Sequence, residues 1–134
     1  VKKIKIKSLM PSLRERKRYM VFQIDTMNQL DFKPISKILW DSSLDFLGSL
    51  GVAEAGLWIL PIDWDNNLQS GILKVNNQYV DKLRVSLSLI NEINGAPARV
   101  NTLLTTGTLK KARKFTKETT NFKSLSLLKN YEVL

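Results

Sequence analysis

The 134-residue chain contains no cysteine and no histidine. Without cysteine there is no disulfide and no thiolate metal site, and nothing signals an oxidising compartment. Without histidine the usual general base near neutral pH is missing, along with the commonest metal ligand. Serine–histidine and cysteine–histidine nucleophile systems are therefore excluded. Long apolar runs are missing too, none approaching the ~20 residues that span a bilayer. The opening VKKIKIKSLMP has cations but no continuous apolar stretch, so no signal peptide is expected. The start at Val1 reads as a removed initiator methionine or a trimmed end. A soluble cytoplasmic protein is expected. What is present, 43% hydrophobic residues, is ordinary for a globular chain, and the length suits one domain with a real core.

Acids are the scarcer charge: 12 Asp and Glu against 21 Lys and Arg, a net charge of +9. Residues 1–18 carry eight cations and one acid, and residues 108–134 carry seven cations and two acids. Residues 19–107, with six cations and nine acids, are mildly acidic. Solubility alone would be served by uniform scatter, so two basic ends point to a polyanionic partner, nucleic acid before membrane. The expected organisation is a basic arm over 1–18, one α/β nucleic-acid-binding domain with a basic last helix over 19–117 and a tail over 118–134, with a possible amphipathic segment at 122–131.

Period-two alternation in YMVFQIDT, residues 19–26, predicts a strand with Met20, Phe22 and Ile24 on one face. KPISKILWDSSLDFLGSLG predicts a helix with Pro34 in its first turn, ended by Gly48 or Gly51. Residues 53–64 and ILKVN predict two strands joined at DNNLQSG. A helix is predicted over 77–93, capped by Asn76, with Asp81 in its first turn and an apolar stripe of Val80, Leu83, Leu87 and Ile90. NGAP breaks it, ARVNTLLTT predicts a fourth strand, and a short helix follows over 109–117. The fold class is α+β: a ferredoxin-like, RRM-like βαββαβ sandwich with a four-stranded antiparallel sheet and a C-terminal helix.

The densest charge follows a turn, in TTGTLKKARKF, residues 105–115. Gly107 permits a tight turn and Thr108 suits an N-cap. A helix N-terminus offers free N–H groups to phosphate. At 100° per residue Lys110, Arg113, Lys114 and Lys117 fall within about 100° of one another. Leu109, Ala112 and Phe115 take the opposite face and can dock on the domain. Four like charges on one face repel unless an anion offsets them. The second basic run is SLRERKRY, with Arg14, Arg16, Lys17 and Arg18, and arginine suits bidentate phosphate contact. Spacing does not say whether the two runs adjoin.

Other patterns are weaker. The strand SGILKVN offers no aromatic where an RNA-recognition motif needs one, so base stacking is rejected as the main binding mode. Trp58 and Leu60 are expected on the outer sheet face, where apolar residues suit a protein partner or a self-copy. DWDNNLQSGILK has Leu68 and Lys74 where a calcium loop needs glycine and glutamate, and reads as a hairpin turn. GSLG, residues 48–51, lacks the basic residues of a nucleic-acid-clamping GXXG loop. Spacing fixes no carboxylate pair, so no catalytic residue and no metal site is assigned.

Four collinear stretches, MPSLRERKRYMVFQI, SSLDFLGSLGVAEAGLWIL, GILKVNNQYVDKLRVSLSLINEING and TTGTLKKARK, together resemble the archaeal ribonuclease P protein component 2 family, related to a eukaryotic ribonuclease P/MRP subunit. The likeness covers about residues 9–115, with Thr106 where a serine is usual. It implies a subunit of a ribonucleoprotein endonuclease that removes 5′ leaders from precursor tRNA. The RNA subunit would carry the chemistry with magnesium, and this chain would bind no cofactor. Implied partners are ribonuclease P RNA, a TIM-barrel-like protein subunit, a second copy of the chain, and precursor tRNA as substrate. RNA-contact candidates are Arg14, Arg16, Lys17, Arg18, Lys110, Lys111, Arg113, Lys114 and Lys117, with Gly107 and Thr108 at the turn. The contact would be led by shape and phosphate. A standalone RNA-binding module of ribosome or chaperone type is the alternative. A small-molecule regulatory domain would leave the basic ends without purpose.

Overall fold

The alternation in β1 (Lys17–Thr26) decides the layering. Met20, Phe22 and Ile24 are buried in one apolar cluster, while Val21 is buried in a second cluster with Ile72 and Ala112. The strand is therefore covered on both faces. In the computed structural model, which describes residues 16–119, it is followed by α1 (Phe32–Ala55), β2 (Trp58–Asp65), β3 (Ser70–Asn76), a 3-10 turn (Asn77–Tyr79), α2 (Val80–Ser88), β4 (Glu92–Ile93) and β5 (Ala96–Thr106). A last helix, α3, occupies residues 109–119. The basic arm up to residue 15, including Arg14, and the segment at 122–131 lie outside the described residues.

The strands form an antiparallel sheet in the order β2-β3-β1-β5-β4. The class is α+β as expected, but the sheet has five strands rather than four. The extra strand comes from Asn94 and Gly95, whose φ values of 52° and 81° make a two-residue hairpin turn. Asn-Gly favours that geometry because both central residues need positive φ. The hairpin pairs Glu92 with Pro97 and Ile93 with Ala96. Hence α2 stops at Ser88 rather than running to residue 93, and Ile93 enters the core from a strand.

On the first face, Ile35 and Leu39 of α1 and Leu83 and Leu87 of α2 pack on Met20, Phe22 and Leu73. Each such side chain contributes about 1.5–3 kcal/mol by leaving water. Two serines let the helices approach closely. Ser42 Oγ donates to the Ser86 carbonyl at 2.9 Å, and Ser86 Oγ donates to the Ser42 carbonyl at 3.1 Å.

Gly48 does not end α1. Its φ of 76° kinks the helix, which resumes and reaches Ala55. Gly56, left-handed at φ 59°, is the true terminus, so β2 starts at Trp58 rather than near residue 53. Asn76 makes no side-chain cap on the turn after it. Its amide donates instead to the Glu54 carbonyl at 2.6 Å, and its side-chain oxygen accepts from Lys17 Nζ. At DNNLQSG, Asp65 Oδ1 accepts the N–H groups of Asn67 at 2.8 Å and Leu68 at 3.2 Å, as a hairpin turn requires.

Candidate nucleic-acid interface

The register of β1 against β5 sets Tyr19 opposite Thr106. Arg18 is thereby carried to the turn that follows β5. A Cβ placed on Gly107 would lie 2.6 Å from Arg18 Nη1, so the guanidinium lies directly against a residue with no side chain. Arg18 Nε also donates to Asn77 Oδ1 at 3.1 Å. Arg18, the last cation of the N-terminal basic run, therefore meets the turn before α3.

Thr108 Oγ1 accepts the Lys111 N–H at 3.3 Å, which is an N-cap bond to the third residue of α3. Ala112 is fully buried, and Leu109 and Phe115 pack with it on Val21 and Ile72. That seat turns Lys110, Lys111, Arg113, Lys114 and Lys117 to solvent. The division of α3 into a docking face and a basic face is the one its sequence spacing predicts.

Among these cations Arg113 differs. Its Nε and Nη2 donate to Asp63 Oδ1 and Oδ2 at 2.8 and 3.3 Å. That hydrogen bond, then the charge of Asp63, raises the Arg113 pKa above its already high value. Arg113 thus ties α3 to β2, and its charge is partly matched. Lys17 also departs from the group. Its ammonium turns to Asn76 beside Gly56, at the C-terminal end of α1, where a helix dipole favours a cation. Arg16 is exposed, and its carbonyl accepts the Asn77 N–H at 2.7 Å.

Sequence reasoning missed Arg84. From α2 its Nη2 donates to Thr105 Oγ1 at 3.2 Å, which adds a cation to the end of the sheet where the turn lies. Asp81 Oδ1, 3.8 Å from Arg84, offsets part of that charge. The spacing of 84 from 105 carries no local signal; only the packing of α2 beside β5 unites them.

One cleft has the wrong sign of charge for a polyanion. A cleft of about 420 Å³ between α1 and residues 89–92 is lined by Asp41, Asp45 and Glu92 with apolar Ile38, Phe46 and Leu89. Among the described residues no three Asp or Glu side chains gather as a metal site, and no helix is long and apolar enough to cross a membrane.

A profile of the Rpp14/Pop5 family matches residues 18–117, a span that runs from Arg18 to the last basic residue of α3. The chain belongs to the Rpp14/Pop5 family. Its similarity to named members of wide archaeal range is close to full length. Ribonuclease P protein component 2 of Thermococcus gammatolerans is 41% identical over 115 residues, covering 85% of this chain and 94% of the relative. That of Pyrococcus horikoshii is 34% identical over 110 residues, covering 82% and 90%. Among solved structures, a chain from the cryo-EM structure of yeast ribonuclease MRP shares the Rpp14/Pop5 fold of this protein. The TM-score is 0.57 at 15% identity, over 85% of this chain and 95% of that one.

Proposed function

We propose that this chain is a protein subunit of ribonuclease P, the ribonucleoprotein endonuclease that removes 5′ leaders from precursor tRNA. It supports the catalytic RNA and performs no chemistry itself; the RNA subunit cleaves with magnesium. Membership of the Rpp14/Pop5 family supports this reading, and so do the component 2 relatives at 31–41% identity. The observation that carries the RNA-contact part is Arg18 lying against Gly107, which brings the last cation of the N-terminal run to the capped start of α3.

The contact is phosphate-led. Lys110, Lys111 and Lys114 supply free charge, Arg18 and Gly107 supply a close approach, and Thr108 holds the helix start. Arg16, Lys17, Arg113 and Lys117 flank that centre. The protein partners are a TIM-barrel-like subunit and a second copy of the chain, the workplace is the cytoplasm, and the strand order is a ferredoxin-like, RRM-like sheet extended by one hairpin.

Reconstitution tests the proposal. The chain is combined with ribonuclease P RNA and the partner subunit, and 5′ cleavage of precursor tRNA is followed at limiting magnesium. Cleavage that requires this chain supports the reading. Cleavage indifferent to a chain that still binds RNA favours a standalone RNA-binding module. If about six phosphates are neutralised, log K falls against log salt with a slope of several units.

A further inference from the structure

One row of residues crosses the sheet beside the basic turn. Trp58 of β2 is paired with Lys74 of β3, Lys74 with Tyr19 of β1, and Tyr19 with Thr106 of β5. Residues directly opposite in antiparallel strands point to the same face. The burial pattern identifies which face this is. The next row, Ile59, Leu73 and Met20, lies in the core under α1 and α2. The row after that, Leu60, Ile72 and Val21, lies in the cluster under α3. The row of Trp58 therefore shares the α3 face: Tyr19 packs at the margin of the cluster under α3, and Trp58 is left exposed.

Along this row stand an indole, an ammonium, a phenol that packs on the Val21–Ile72–Ala112 cluster, and a hydroxyl. Trp58 is 61% exposed, unlike Trp64, which packs on Phe22 in the core. At about 4.8 Å between strands, the two rings stand roughly 10 Å apart with Lys74 between them. Lys110 is the cation nearest the start of α3, the helix that follows Thr106 of the row. It lies one turn before Arg113, on the side of α3 from which Arg113 reaches Asp63 on β2. The row is thus continuous with the basic turn.

We infer that this row is a landing strip for an unpaired stretch of RNA, with one base stacked on Trp58 and the flanking phosphates held by Lys74 and Lys110. The inference rests on the RNA-contact reading above and extends it from phosphate contact to a stacking contact. An aromatic ring stacks on any base, and a duplex has no free base to offer. The strip therefore distinguishes unpaired from paired RNA. It differs from an RNA-recognition motif, because the aromatic residues sit on β1 and on the edge strand β2, with a lysine on β3. A protein occupant fits less well: a lysine in the middle of the strip would have to be desolvated without a partner.

The test uses the full chain, a single-stranded RNA oligonucleotide and a hairpin duplex of equal charge. Trp58→Ala is expected to weaken single-strand binding by roughly five- to hundredfold, to leave duplex binding unchanged, and to be reversed by Trp58→Phe. An abasic residue in the oligonucleotide should abolish the difference between Trp58→Ala and the parent chain. The inference is overturned by equal loss on both RNAs, by no loss on either, or by a parent chain that binds no single strand. It is also overturned if Trp58→Ala leaves RNA binding intact but releases the partner subunit or a second copy. Cleavage reconstitution separates the two claims: full dependence on the chain with unaltered single-strand binding by Trp58→Ala keeps the ribonuclease P reading and discards the strip.

Discussion

Asp63 on the edge strand β2 holds Arg113 of α3 through both carboxylate oxygens, at 2.8 and 3.3 Å. The acid is nearly buried at 11% side-chain exposure, whereas the guanidinium is half exposed. A surface residue of the basic face is therefore committed inward, to an acid 50 residues earlier in the chain.

It follows that Arg113→Ala costs less RNA affinity than Lys110→Ala or Lys114→Ala, although all three remove one charge. Filter binding at two salt concentrations reads the difference. The lysine variants should flatten the salt slope by about one unit each, and Arg113→Ala by less. Because Asp63 raises the Arg113 pKa, the stability contributed by the charged guanidinium persists through the ordinary arginine range and is lost only as pH rises through the raised value. Arg113 thus introduces no pH dependence into stability near neutrality. A thermal melt that moved with pH and became flat in Arg113→Ala would contradict this.

Gly107→Ala places a methyl group 2.6 Å from Arg18 Nη1. The obstacle is the far end of a flexible side chain, so the guanidinium swings away and the fold survives. The expected result is an unchanged melting temperature with RNA affinity reduced several-fold. Arg18→Ala should add little on top, because both variants remove the same contact, and a double-mutant cycle measures that overlap.

Ala112→Arg separates placement from charge. Position 112 is fully buried against Val21 and Ile72, and an unpaired cation there is far too costly to keep. We expect α3 to lift from the sheet. RNA binding should fall although the chain gains a positive charge, and trypsin should cut within residues 109–119 much faster than in the parent chain.

Gly71→Ala should act through the core. A Cβ at Gly71 would meet Phe22 Cζ at 2.9 Å and Trp64 Cε3 at 3.0 Å, two rings stacked 6.1 Å apart. Phe22 is fully buried, and overpacking of this kind costs about 1–3 kcal/mol. Urea unfolding should register the loss, while the RNA affinity of the folded fraction stays at the parent value.

Period-two alternation made β1 legible, because Met20, Phe22 and Ile24 meet one helical layer and Val21 meets another. The two faces of α3 were legible for a similar reason: Leu109, Ala112 and Phe115 are three residues apart and must share a side. Thr108 announced its own cap. What spacing could not carry was any relation set by strand pairing. Arg18 against Gly107, Arg84 on Thr105 and Arg113 on Asp63 all depend on which strand lies beside which. The β4–β5 hairpin was legible in Asn94-Gly95, but two-residue strands are too short to alternate, so NGAP reads as a mere helix breaker. Gly48 misleads because a left-handed glycine usually ends a helix, and here the apolar contacts of Val52 and Ala55 restart it.

Among the described elements, the strand at the centre of the sheet is made first, and its neighbour β5 and its cover α3 are made last. A growing chain that has not yet reached residue 112 leaves Val21 and Ile72 uncovered, and one that has not reached residue 96 leaves a whole edge of β1 unpaired. Such distant pairing makes for slow folding. Closure of the second apolar cluster and arrival of the basic helix are thus one event, which waits for Ala112. An unfinished chain on the ribosome, surrounded by RNA of every kind, does not yet have the surface through which we propose that it contacts RNA.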